Sequence, residues 1–179
     1  MSAVLGFAAA PVTPAPPAPW RPMNSRDIGP VEALGNRIHS TLPEDASIFA
    51  ERLALFAAGA FAADHKGALA AYAIAHPWIA GAPPALNQRL GAIPAAARVL
   101  YLHDIVVDPI RRSLGLAGTM IGHLPALAAA CGLPAIELVA VLGTANFWRG
   151  HGFAVIDDPT LAPVLAKYGD GACLMRRKV

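Results

Sequence analysis

The sequence predicts a mixed α/β fold with a partly antiparallel sheet, and three segments carry that prediction. Val99 to Val107 is a run rich in β-branched and aromatic residues, the pattern of a buried strand. Gly115 to Cys131 follows with a helical pattern, closed by Gly132 as a left-handed cap. Ile136 to Val141 is a second clear strand. This central strand–helix–strand unit is flanked by segments patterned as hairpins. At 179 residues the chain is long enough for one domain with a substantial core.

The remaining elements are read in chain order. Ala8 to Pro19 is an Ala/Pro/Thr stretch with little to bury, and Met1 to Ala10 lacks the basic leader of a secretory signal. Residues 1–18 are therefore expected to be a disordered tail, and 19–179 a single domain. Trp20 to Met23 reads as a first strand, with Asn24 and Ser25 as helix-start residues. Ile28, Val31, Leu34 and Ile38 recur at spacings of three and four, which suits an amphipathic helix to about His39. Thr41-Leu42-Pro43-Glu44 has the form of a capping box opening a second helix to about Arg52. Leu53–Ala63 and Ala68–Ala75 read as strands around the turn Asp64-His65-Lys66-Gly67. His76 to Pro94 carries four prolines and reads as a loop. Beyond the central unit, Thr144–Gly150 reads as a short helix, and Phe153–Ile156 and Ala172–Arg176 as strands.

Bulk properties narrow the function. A net charge of +2 without a clustered basic face argues against a nucleic-acid partner; Arg176-Arg177-Lys178 reads as a solvated terminus. The longest helical pattern falls short of the roughly 18 apolar residues of a membrane span, so no membrane association is expected. Cys131 and Cys173, far apart and outside any Cys-x-x-Cys pattern, favour reduced thiols and a cytoplasmic location. The six histidines form no His-x-x-x-His or Cys/His cluster, so no metal is expected.

The chemistry concentrates after the Val99–Val107 strand. Arg112-Ser113-Leu114-Gly115-Leu116-Ala117 places a basic residue before small residues at the fourth and sixth positions. Small residues let backbone N–H groups approach an anion at the positive end of the following helix. The same six residues also suit an ordinary strand-to-helix turn. A P-loop needs Gly-Lys-Ser/Thr, which is missing, and a dinucleotide fingerprint belongs after the first strand. No Gly-x-Ser-x-Gly elbow of a serine hydrolase is present.

The element order and this turn resemble the GNAT superfamily of acyl-CoA-dependent N-acyltransferases. The family's Arg/Gln-x-x-Gly-x-Gly/Ala pattern is met by Arg112, Gly115 and Ala117. Val107-Asp108-Pro109 stands where that family has Val-x-Pro, and Trp148 with Gly152-Phe153 resembles the aromatic-x-x-x-Gly-Phe segment opening its penultimate strand. The resemblance runs from about Trp20 to the C-terminus. It implies a mostly antiparallel sheet splayed between the fourth and fifth strands and flanked by helices, with acetyl-CoA in the gap as co-substrate. The pantetheine arm would follow the backbone of Ile105, Val106 and Val107. The pyrophosphate would sit on the N–H groups of Ser113, Leu114, Gly115, Leu116, Ala117 and Gly118, with Arg112 adding charge. Trp148 would pack against the pantetheine or fill the core.

The implied reaction is acetyl transfer to a primary amine of a small molecule or peptide, by direct attack on the thioester. His103 and Asp104 stand where the family commonly has an acidic pair, which makes His103 the first candidate base and Asp104 the second. The competing reading makes them a core histidine and a buried brace. Two positions depart from the family: Trp148 replaces a tyrosine that protonates the leaving thiolate, and Val141 replaces an asparagine. An indole N–H does not donate a proton near neutral pH, so that proton falls to water, His151 or the amine itself. A non-catalytic acyl-CoA-binding module is therefore the alternative. For the acceptor, the loop from His76 offers a wall, and Trp78 a flat face for a cationic amine. Glu44, Asp45 and Glu51 read as solvated helix charges. A homodimer is left open, and the acceptor is not named by the sequence.

Overall fold

The computed structural model describes residues 12–179. Strands β1 (Trp20–Pro22), β2 (Ala60–His65), β3 (Ala68–Trp78), β4 (Val99–Val107), β5 (Ala135–Ala140), β6 (Ala154–Val155) and β7 (Cys173–Lys178) form one sheet in the order β1-β2-β3-β4-β5-β7-β6. All neighbours are antiparallel except β4 and β5, which run parallel. Helices α1 (Ile28–Ile38) and α2 (Ala46–Leu55) precede β2, α3 (Leu116–Ala130) joins β4 to β5, and the short α4 (Ala145–Gly150) and α5 (Ala162–Leu165) follow.

Two cores hold the layers together. Leu116, Met120, Ile121, Leu124 and Leu127 of α3 pack on one face of the sheet against Leu100, Leu102 and Ile136. On the opposite face, Val31 and Leu34 of α1 and Phe49 of α2 cover Tyr72, Ile74 and Val106. The hairpin β2–β3 turns at Lys66 and Gly67, both at positive φ, the geometry a two-residue turn between twisted strands requires.

The pairing of β4 and β5 is confined to Leu100 with Ile136 and Tyr101 with Glu137. From Leu102 to Val107 the β5-facing edge of β4 has no strand partner among the described residues, so the sheet opens there. The splay implied by the family resemblance is thus present, between the fourth and fifth strands.

Several elements differ from the sequence reading. Leu53–Leu55 complete α2, and β2 starts only at Ala60: the buried face Ile48, Phe49 and Arg52 carries the helix through an alanine-rich run of weak strand preference. His76-Pro77-Trp78 is not loop but the end of β3, paired with Tyr101, Leu100 and Val99. The Thr41–Glu44 segment is not a capping box. Asp45 is the N-cap of α2, Glu44 points inward, and the Ala46 N–H bonds the Glu32 carboxylate at 2.8 Å. A capping box does occur at Asn24 and Asp27. Of the expected N-terminal tail, residues 1–11 lie outside the described residues, whereas Thr13, Pro14, Pro16 and Pro17 are half-buried. Among the described residues no helix is long and apolar enough to cross a membrane.

Candidate active site

A cavity of about 660 Å³ occupies the splay, walled by the separating halves of β4 and β5 and by the start of α3, α4 and the turn between α1 and α2. One irregularity in β4 decides which side chains reach it. Ile74 pairs with Asp104, but Ala75 pairs with Leu102, so His103 is an extra residue in the strand. Along a regular strand, neighbouring side chains alternate between faces. The bulge cancels one alternation, so both His103 and Asp104 face α1 and α2. That is why two adjacent polar residues serve one site.

Each is held by a partner from outside the sheet. His103 Nε2 lies 2.8 Å from Glu44 Oε2, with both side chains more than nine-tenths buried. Glu44 also accepts from the Asn87 backbone N–H at 3.0 Å, and its own backbone is held at both ends by the Asn36 side-chain amide. Burial pushes the Glu44 carboxyl up, but His103, the Asn87 N–H and Arg52 outweigh it and hold the group below its ordinary value. An ionised carboxylate only accepts, so Nε2 of His103 carries the hydrogen of that bond, and in the neutral ring the lone pair is on Nδ1. Among the described residues Nδ1 has no hydrogen-bond partner, and it is not one of the sealed ring nitrogens, His39 Nδ1, His76 Nε2 and His123 Nε2.

Asp104 is differently placed. Its two oxygens take the Tyr72 hydroxyl at 2.5 Å and His39 Nε2 at 3.2 Å. Burial, with the nearby carboxylate, drives the Tyr72 hydroxyl well above its ordinary value, so it stays protonated and donates. The bond to Asp104 raises His39 against the opposing effect of burial. Gly35 of α1 makes room for this network: a Cβ there would lie 2.4 Å from the Tyr72 oxygen.

At the other end of the cavity the chain leaves β4 through a 3-10 turn, Pro109–Leu114, and enters α3 through Gly115 at φ +69°, a conformation side chains other than glycine resist. The first backbone bond into α3 runs from Thr119 N–H to Gly115 O at 3.1 Å. The N–H groups of Leu116, Ala117 and Gly118 therefore precede the helix ladder, at the positive end of a 15-residue helix. A Cβ added at Gly115 would meet open space, and one at Gly118 only His151 at 3.9 Å. Arg112 borders the same end. An elongated ligand with amides along its arm and phosphates at its end fits this donor set: unpaired β4 edge first, helix terminus last.

Ile105, Val106, Val107, Arg112, Gly115, Ala117, Gly118 and Trp148 all line the cavity, as do His103 and Asp104. Ser113 and Leu114 are exposed on the 3-10 turn, and the Leu116 side chain is buried against α3's own core, leaving only its backbone toward the turn. Trp148 is 8% exposed and packs edge-on against Phe147 and Phe153. His76 and Trp78 do not reach the cavity. His76 is fully buried behind Tyr101, its pKa lowered to about 3 by burial and by His103, and the Trp78 indole N–H bonds the Ala82 carbonyl at 2.8 Å. From the same long loop it is Leu86 that lines the cavity, joined by Tyr168 from the segment before β7. Glu44, His39, Tyr72, Leu86 and Tyr168 were not singled out as site residues by the sequence. Their partners lie 32 to 84 residues away, so no local pattern marks them.

Residues 31–153 match the acetyltransferase (GNAT) family model. No curated protein shows significant sequence similarity to the chain. Among solved structures, the chain is similar to the ribosomal-protein-S18-alanine N-acetyltransferase from Escherichia coli, at 18% identity and a TM-score of 0.61, over 89% of this chain and 92% of that one. Chaetomium thermophilum Naa20 in complex with a bisubstrate analogue aligns at 16% identity and a TM-score of 0.65, over 89% and 86%. The GNAT-like decarboxylase GphF in complex with isobutyryl-CoA aligns at 16% and 0.69, over 89% and 98%.

Proposed function

The chain belongs to the GNAT acetyltransferase family, and on that premise we propose that it moves an acetyl group from acetyl-CoA to a primary amine. The observation that carries the proposal is the His103–Glu44 pair, presented by the bulge of β4 to the cavity at the splay. The unpaired edge of Leu102–Val107 would hold the pantetheine amides, and Arg112 with the N–H groups opening α3 would hold the phosphates. The bound thioester supplies an activated acyl carbon on a thiol leaving group.

The chain's own part is proton management and positioning. An alkylammonium is not nucleophilic, so the amine must lose a proton before it attacks. His103 Nδ1 takes that proton, directly or through one water, and the imidazolium so formed is stabilised by the Glu44 carboxylate on Nε2. Asp104 has both oxygens engaged and acts as a fixed negative charge beside the ammonium rather than as the base. His39 has Nε2 on Asp104 and Nδ1 sealed, so it offers no free lone pair to the cavity. Trp148 supplies no proton to the thiolate, and His151, packed on Phe147 beside the start of α3, lies at the phosphate end. The proton for the thiolate then comes from the attacking amine or from water.

Trp148 favours one second reading, a non-catalytic acyl-CoA-binding module. Thiol release from acetyl-CoA against a panel of amines separates the two. Release with at least one amine supports the enzyme, and acetyl-CoA binding without release from any amine supports the module.

A further inference from the structure

The acceptor end of the cavity is bordered by a loop tied down on two sides. Asn87 donates from its backbone to Glu44 and from its side chain to Asp45 at 3.0 Å, and accepts from the Asp45 N–H at 2.9 Å. Leu90 and Gly91 N–H groups bond the Glu51 carboxylate, and the buried Arg52 donates to the Gln88 carbonyl at 2.8 Å. On the other side the Tyr168 hydroxyl donates to the Pro84 carbonyl. The loop that contributes Leu86 is thus fixed both to the α1–α2 turn, which contributes Leu42 and Glu44, and to the segment that contributes Tyr168.

Chemistry within that end is divided. Glu44 and Asp104 are its carboxylates, each already paired with a histidine. The other walls carry Ile38, Leu42, Leu86 and the Tyr168 ring. One ammonium is matched by this arrangement. A second cation lodged against the aliphatic wall would be desolvated without a partner, which is strongly unfavourable. A polypeptide would have to continue past the bridge that Asn87 and Pro84 form between the α1–α2 turn and the Tyr168 segment.

We propose, resting on the acetyltransfer reading above, that the acceptor is a small primary monoamine with an apolar body. Its ammonium sits at His103 Nδ1 beside Asp104, and its hydrocarbon sits on Ile38, Leu42 and Leu86. Polyamines, whose second cation would meet the aliphatic wall, are disfavoured by the same arrangement.

The test uses the full chain with acetyl-CoA and four probes: phenethylamine, isopentylamine, spermidine and an alanine-initiated tetrapeptide. Phenethylamine and isopentylamine are expected to exceed the other two by at least tenfold in kcat/KM. In a linear alkylamine series, kcat/KM should rise about fourfold per methylene until the chamber is filled. Leu86→Asp should lower kcat/KM for isopentylamine by about tenfold or more, with the calorimetric Kd for acetyl-CoA unchanged; Leu42→Ser is the milder second variant, with a smaller loss in the same direction. Calorimetric binding of phenethylamine to the CoA-loaded protein gives a readout independent of turnover. Preference for spermidine or the tetrapeptide, or an unchanged profile in both variants, would overturn the acceptor assignment while leaving acetyltransfer intact. Acetyl-CoA binding without thiol release from any probe or wider amine panel would overturn acetyltransfer itself, and this assignment with it.

Discussion

Replacing Glu44 by glutamine removes a charge and little else, which makes it the sharpest perturbation of the proposed base. Glutamine has the same length, so its carbonyl still meets His103 and its position between Asn87 and Asn36 is kept. Lost is the ionic part of a buried hydrogen bond 2.8 Å long. A hydrogen bond to a charged group contributes about 1.5–3 kcal/mol and a neutral one about 0.5–1.5, so the charge accounts for about 1–1.5 kcal/mol. The imidazolium exists once the amine has given up its proton, so the loss falls mainly on the transition state. At about 1.4 kcal/mol per decade this amounts to a roughly 5- to 13-fold fall in kcat. KM for acetyl-CoA should hold, because Glu44 stands at the opposite end of the cavity from Arg112 and Gly115. Steady-state thiol release, with acetyl-CoA varied at saturating amine, reads both parameters. A kcat within twofold of wild type would refute the coupling of Glu44 to His103, as would a rise in KM for acetyl-CoA with kcat unchanged.

Three further expectations concern the surroundings of the site. Arg112→Glu reverses the charge beside the start of α3 and should weaken CoA binding by about tenfold, with the deficit shrinking as salt is raised; calorimetry at two ionic strengths reads this. Gly35→Ala drives a methyl against the Tyr72 oxygen and should destabilise the fold by about 1–3 kcal/mol in urea unfolding, since neither α1 nor Tyr72 has room to yield. The Asp27 carboxyl is held below its ordinary value of 3.8, chiefly by the Arg21 guanidinium, which binds both its oxygens at 2.8 Å. A carboxyl depressed in the folded state contributes stability above its unfolded pKa and loses it as pH falls through the folded one. Acid unfolding of Asp27→Asn should therefore show a shallower loss of stability below about pH 4 than wild type; equal slopes would show that the pair contributes nothing.

The half of the cavity bordered by Arg112 and Gly115 was legible in the sequence because its determinants are contiguous. Val99–Val107, the turn at Gly115 and the helix behind it are neighbours in the chain, so strand propensity, a turn of small residues and a helix start were all readable together. The half bordered by Glu44, Leu86 and Tyr168 was not legible, because it is assembled from the α1–α2 turn, the β3–β4 loop and the segment before β7. Glu44 illustrates the difficulty. It has the spacing of a capping-box residue, yet its carboxylate is used by His103, 59 positions later. His76 fails in the opposite sense: proline on its C-terminal side suggested a loop, while pairing with β4 continued the strand and buried the ring. The bulge at His103 leaves no trace in the sequence, since its register is set by the partner strand. Yet it is what brings His103 and Asp104 to the same face.

The central claim is that His103, exposed to the cavity through Nδ1 and braced by Glu44, deprotonates the amine. Turnover of acetyl-CoA with isopentylamine by His103→Ala, with the acetyl-CoA Kd measured on the same preparation, tests it most directly. The expected result is a fall in kcat of roughly 10²- to 10⁴-fold with Kd unchanged. Turnover equal to wild type, at unchanged Kd, would contradict it.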